Sequence, residues 1–152
     1  MEFEDLIDAL SKRIGVELQV TDEGTCALAV DDMSVTVQNV PEAYGIGFFG
    51  KVGDPPPQGL APLQTAMLDA NHLFRGTGGA TLSRDPETGA YYLCRTLDAR
   101  NLDGDGFCDA LEKFVNVLEA WCRLLADYRP EAEQKQDAED EPPAFGRGIL
   151  QV

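Results

Sequence analysis

The run Asn101-Leu-Asp103-Gly-Asp105-Gly106-Phe107-Cys-Asp109-Ala-Leu-Glu112 sets ligand-type side chains at the spacing of a known cation loop. Oxygen-bearing side chains fall at loop positions 1, 3, 5, 9 and 12 with glycine at 6, the calcium pattern of an EF-hand. Hard oxygens at that spacing, completed by the Phe107 carbonyl, could surround Ca²⁺. Three features oppose the reading. Position 1 is a neutral Asn where a carboxylate is usual. The preceding segment reads as a strand where an EF-hand needs a helix, and no second loop exists to pair with this one. The competing account is a polar loop in which Asp103 or Asp105 caps the helix that follows, its carboxylates favouring the positive helix end. Capping is the favoured reading, so no metal ligand is assigned; a calcium-binding regulatory module on Asn101–Glu112 stands as the alternative.

Other chemistry fails sooner. His72 is the only histidine, so a His-based metal cluster lacks a second imidazole. Ser11, Ser34 and Ser83 are the serines a Ser-His-Asp set would use, and none sits in a nucleophile-elbow context. His72 reads as a residue at a helix end. Gly76-Thr-Gly-Gly79 follows a helix, whereas phosphate-cradling glycines precede one, so it reads as a helix stop. Cys26, Cys94, Cys108 and Cys122 form no C-x-x-C pair; Cys108 and Cys122 sit roughly 21 Å apart along one predicted helix and cannot bond to each other. Reduced thiols among apolar neighbours are expected. With no catalytic residues and no cofactor indicated, the chain is expected to bind rather than to catalyse.

The elements that would position these residues follow from periodicity. Phe3, Leu6, Ile7, Leu10 and Ile14 recur at helical spacing, predicting a helix over Met1–Ile14 closed by Gly15. Period-two alternation predicts a hairpin from Thr25–Asp31 and Met33–Gln38, with Leu18 and Val20 as a candidate short strand before it. Gly45–Val52 puts Ile46, Phe48 and Val52 on one strand face and Phe49 and Lys51 on the other; Asp54-Pro-Pro-Pro-Gln-Gly59 then breaks the sheet. Leu60–Phe74 reads as a second helix, apolar on more than one side, with Leu63, Ala66, Met67 and Ala70 near one stripe and Leu60, Leu68 and Leu73 beyond it. Such a helix needs two surfaces to bury it, the centre of one monomer or a dimer seam. Strands over Ala80–Arg84 and Ala90–Leu97 flank the Pro86–Gly89 turn. A last helix reaches Tyr128 with Phe107, Leu111, Phe114, Leu118, Trp121, Leu125 and Tyr128 in a 4-3 stripe. The order predicts an α+β fold with an antiparallel sheet and three helices, one domain over residues 1–128 and an acidic, aperiodic tail over 129–152 expected to be disordered.

Composition sets the class of partner. Apolar residues make up 43% of 152, enough for one globular core. Twelve basic against 27 acidic residues leave a net charge of −15, which repels nucleic acid and anionic lipid; solubility is its simplest reading, ahead of a charge-selected basic partner. No run of about 18 apolar residues would insert in a membrane, and the acidic start has no signal-peptide character. The protein is expected to stay in the compartment where it is made.

One stretch is more specific. Met67-Leu-Asp-Ala-Asn71-His-Leu-Phe-Arg-Gly76-Thr-Gly-Gly79-Ala-Thr-Leu82, then Asp85-Pro-Glu-Thr-Gly89 and Ala90–Leu97, resembles the middle of the Tir chaperone (CesT-like) family, the small class I chaperones of bacterial type III secretion. Element order, the acidic loop and the long last helix with Trp121 near its end are similar too; the Pro55–Pro57 loop and the tail after Arg129 are less typical. The resemblance implies a cytoplasmic homodimer that holds an extended N-terminal segment of one or more secreted effectors, without catalysis or ATP. It implies secreted effectors as partners, with the secretion apparatus as a further candidate. An apolar groove would be lined by Phe3, Leu6, Ile7, Leu10, Leu28, Val30, Ile46 and Phe48. The dimer seam would use Leu63, Met67, Ala70 and Leu73. A chaperone-like adaptor outside secretion is the remaining alternative.

Overall fold

A computed structural model of the chain describes residues 1–43 and 45–130. Helix α1 (Phe3–Ile14) forms where the apolar spacing predicts it. Phe3, Leu6, Ile7 and Leu10 are buried, Glu4 and Asp5 lie at the positive end of the helix and Lys12 and Arg13 at the negative end. Gly15 closes it at φ 70°, its N–H donating to Ser11 O at 2.9 Å. Leu18 and Val20 do not form the short strand expected of them. The Leu18 N–H donates to Ser11 Oγ at 3.2 Å, and both side chains pack half-buried against the core from an irregular segment.

Five antiparallel strands follow: β1 (Thr25–Val30), β2 (Met33–Val40), β3 (Gly45–Gly53), β4 (Thr81–Arg84) and β5 (Tyr91–Asp98), arranged β1-β2-β3-β5-β4. Asp31, at φ 51°, turns the β1–β2 hairpin, a role its short side chain tolerates better than most. The period-two pattern sorts the faces as expected. Cys26, Leu28, Val35, Val37, Ile46, Phe48 and Leu93 are buried, while Ala27, Ala29, Ser34, Gln38 and Thr96 on the opposite face are exposed.

Helix α3 (Gly104–Ala126) crosses the buried face over β3, and α1 packs beside it. Phe48 meets Phe107 and Phe114 at ring-centroid distances of 5.7 and 5.5 Å. The crossing is possible because β3 carries Gly50 there: a Cβ on that residue would stand 2.3 Å from Leu118 Cδ2. Of the 4-3 stripe, Phe107, Leu111, Phe114, Leu118 and Trp121 are buried, with Leu125 and Tyr128 half-buried at its end. The stripe therefore serves a helix laid on a sheet. At the other end Arg13 of α1 donates to Asp105 at 3.1 Å and to Asp109 at 2.7 Å, joining the two helices.

Helix α2 (Leu60–Asn71) sits by β4 and runs into a single 3-10 turn, His72–Phe74, where Leu73 and Phe74 both adopt positive φ, 54° and 55°. The helix, expected to reach Phe74, ends at Asn71 ahead of this turn, and Gly76-Thr-Gly-Gly79 follows it. The Gly76 N–H donates back to Ala70 O at 2.9 Å, and a Cβ on Gly76 would lie 2.6 Å from Ala70 Cβ. The architecture is α+β, three helices on a five-stranded antiparallel sheet. The expected tail lies, from residue 131 onward, outside the described residues.

Candidate functional site

The calcium-like loop is built as a helix cap. Asp103 is the N-cap of α3, its carboxylate accepting the Gly106 N–H at 2.7 Å. Asp105 and Asp109, positions 5 and 9 of the calcium pattern, are the partners of Arg13. Glu112 lies on the exposed side of α3, and Asp98 ahead of the loop is held by Arg100, whose guanidinium brings its carboxyl down to about 2. Among the described residues no group of three or more His, Cys, Asp or Glu converges as a metal site. His72 is exposed at the end of α2. The four cysteines are free thiols, Cys26 and Cys108 buried and Cys94 and Cys122 half-buried; desolvation raises the pKa of each.

The residues expected to line a groove form the core instead. Phe3, Leu6, Ile7, Leu10, Leu28, Ile46 and Phe48 are all core residues, from fully buried to 7% exposed, and only Val30 is half-buried. The apolar periodicity of these residues is what the core of so small a sheet consumes. The expected seam is corrected in the same way: Leu63, Met67 and Ala70 point inward, at 2%, 8% and 1% exposure, and only Leu73 faces out. The exposed apolar side chains of this region are Leu60, Leu68, Leu73 and Phe74, at 40%, 69%, 67% and 53%. Periodicity had marked Leu60, Leu68 and Leu73. Phe74 is turned outward by backbone that no local sequence rule specifies, since bulky residues rarely take positive φ.

The two edges of the sheet differ. On β4 the Asn71 side chain caps Leu82: its Oδ1 accepts the Leu82 N–H at 2.8 Å and its Nδ2 donates to Leu82 O at 3.1 Å. On β1 only Thr25 is capped, its carbonyl accepting the Thr21 N–H at 2.9 Å and its N–H donating to Thr21 Oγ1 at 3.3 Å. Since Thr25 thereby turns both backbone groups away from β2, the alternation of an antiparallel ladder turns those of Ala27 and Ala29 the same way. Among the described residues nothing takes them up. Ala27 and Ala29 are exposed, so an extended chain could pair there without meeting a large side chain.

The described residues thus present a sheet edge open at Ala27 and Ala29 and, beside the opposite edge, an apolar patch of Leu60, Leu68, Leu73 and Phe74. The family of the chain is decided by comparison with known proteins. The model of the Tir chaperone protein (CesT) family matches residues 5–122. The chain belongs to the Tir chaperone family. Solved structures agree on the fold. A chain in the ExsC–ExsE complex superposes with a TM-score of 0.68 at 24% identity, over 79% of this chain and 90% of its own. The HopA1–SchA chaperone–effector complex gives 0.66 at 19% identity, covering 83% and 94%. The Yersinia pestis type III secretion chaperone SycH, in complex with a stable fragment of YscM2, gives 0.62 at 17%, covering 79% and 99%. No curated protein matches at comparable significance. For a Tir chaperone family member the sheet edges and the α2 patch are the surfaces of interest, and no helix among the described residues is long and apolar enough to cross a membrane.

Proposed function

We propose that this chain is a cytoplasmic type III secretion chaperone, which binds an extended N-terminal segment of one or more secreted effectors and keeps it soluble and competent for export. The observation that carries the reading is the family match over residues 5–122, joined to a strand edge on β1 that is open at Ala27 and Ala29. An unfolded client has unsatisfied backbone groups, and strand addition to an open edge satisfies them. The resemblance to complexes of chaperones with effectors supports the same class of partner. No catalytic step is assigned. Residues 1–128 act as one domain in this reading, with the acidic segment after it as an appendage.

The reading includes a homodimer. Leu60, Leu68, Leu73 and Phe74 offer the apolar surface a second copy would cover, in place of the inward-facing Leu63, Met67 and Ala70. The experiment is co-expression with candidate effectors and their N-terminal truncations, followed by pull-down and light scattering. A stable complex of a dimer with an N-terminal segment supports the proposal. Capture of folded proteins alone, with no N-terminal segment held, overturns it.

A further inference from the structure

The charge around the open edge of β1 is one-sided. Between Ile14 and Gly50 the chain has six carboxylates and no Lys, Arg or His. Four of the six bracket β1: Asp22 and Glu23 precede it, and Asp31 and Asp32 form the turn after it, all exposed. A crevice of about 450 Å³ beside the start of the strand is lined by Glu4, Asp22 and Glu23 together with Thr21, Asn39 and Val20. The β4 edge is mixed instead, with Arg84 on the strand and Arg75 on the turn after α2 but Asp85 and Glu87 in the turn that follows.

We infer that the β1 edge selects an extended segment with a basic side chain at each end and a short uncharged middle. This inference rests on the chaperone reading and names the chemistry of its client. The six-residue strand Thr25–Val30, about 20 Å when extended, separates the two carboxylate pairs, so the two basic positions should bracket about six residues, seven positions apart. The middle pairs with the backbone of Ala27 and Ala29. One end sets Lys or Arg into the crevice, where Val20 offers its aliphatic stem an apolar wall while the charged head meets carboxylates. The bracketing charges also act against the commonest wrong partner of an open edge, a second β1, because two copies would bring four carboxylates against four.

The test uses the full chain and fluorescence anisotropy with labelled eight-residue peptides: a Val/Thr/Ser middle with Arg at both ends, the same middle with Glu at both ends, and the Arg peptide N-methylated at alternate amides. Exposed charge pairs are individually weak, so several together should favour Arg ends about tenfold. That preference should shrink as salt is raised. N-methylation should abolish binding. The variant Asp22→Asn, Glu23→Gln, Asp31→Asn, Asp32→Asn should lose the preference with its melting temperature kept. Ala27→Pro removes an outward donor that β2 does not use and should block binding; Ala29→Pro is the second choice if the first fails to fold. Equal binding of Arg- and Glu-ended peptides, or a preference that outlives the fourfold neutralisation, overturns the inference. If an effector segment is held while that happens, the chaperone reading stands and only the charge selection fails. If Arg-ended peptides bind as expected and no effector segment is held, the edge stands and the chaperone reading fails.

Discussion

At the scale of the residue, two buried polar groups in one loop behave oppositely. The Trp121 indole N–H donates to Gly76 O at 2.8 Å, fixing the helix-stop loop on α3, whereas Thr77 Oγ1, fully buried next door, has no partner among the described residues. Removing a satisfied donor leaves a buried acceptor behind, and removing an unsatisfied hydroxyl leaves nothing behind. Trp121→Phe should therefore cost about 1–3 kcal/mol in urea unfolding, and Thr77→Val should be neutral or stabilising. A loss at Thr77→Val as large as that at Trp121→Phe would show that the hydroxyl is used. Asp103 gives a second contrast. Asp103→Ala should cost about 1 kcal/mol as a lost N-cap, and millimolar Ca²⁺ should leave the melting temperature of the parent chain unchanged. Calcium at about 100 times its dissociation constant would add roughly 2.7 kcal/mol, so a calcium-dependent rise lost in Asp103→Ala would restore the EF-hand reading. The sequence carried both halves of that choice; what it did not show was Arg13, 92 and 96 residues away from the aspartates it holds.

At the scale of the element, α2 separates what periodicity can say from what it cannot. Its apolar residues on several sides indicated a helix with two buried surfaces, and the structure supplies one of them from β4 and the core. Sequence alone could not say which stripe faced inward, because Leu63-Met67-Ala70 and Leu60-Leu68 are comparably apolar. The substitutions should therefore divide. Met67→Glu puts a charge without a partner into the core and should unfold the chain or cost several kcal/mol. Leu68→Glu or Phe74→Glu should leave the melting temperature of the monomer close to the parent's and halve the mass seen by light scattering. A dimer that persists in both would place the second copy elsewhere. The sheet was legible through its alternation, and its order follows from hairpins and one long connection. The cap on β4 was not legible, since a single amide, Asn71, reaching a strand eleven residues on leaves no periodic trace. Asn71→Ala should expose that edge and raise concentration-dependent association at unchanged helix content, read by sedimentation velocity.

At the scale of the whole molecule, family and fold were legible because each is spread over many residues: element order, a glycine-rich helix stop, and a long stripe ending at Trp121. The proposed site was not, because it consists mainly of backbone that the fold leaves unpaired, and unpaired backbone has no residue type. The net charge of −15 is likewise a property of the whole, and it acts on stability in a way that can be signed. Self-repulsion among exposed carboxylates opposes the compact state, so adding about 0.2–0.3 M NaCl at pH 7 should raise the melting temperature. Acid acts through individual groups. Asp98, held by Arg100, has its carboxyl lowered to about 2, and Asp85 is lowered by the Glu87 N–H and the Thr88 hydroxyl. A carboxyl depressed in the native state binds its proton first when the chain is unfolded, so its contribution is present above the unfolded value near 4 and drains away as the pH falls toward 2. Urea midpoints measured from pH 7 to 2.5 should therefore stay level to about 4.5 and then fall, with Asp98→Asn making the fall shallower. A midpoint that instead rises steadily below pH 4 would mean that relief of repulsion among the 27 carboxylates outweighs the local pairs, and that the charge of this chain governs its stability more than any contact does.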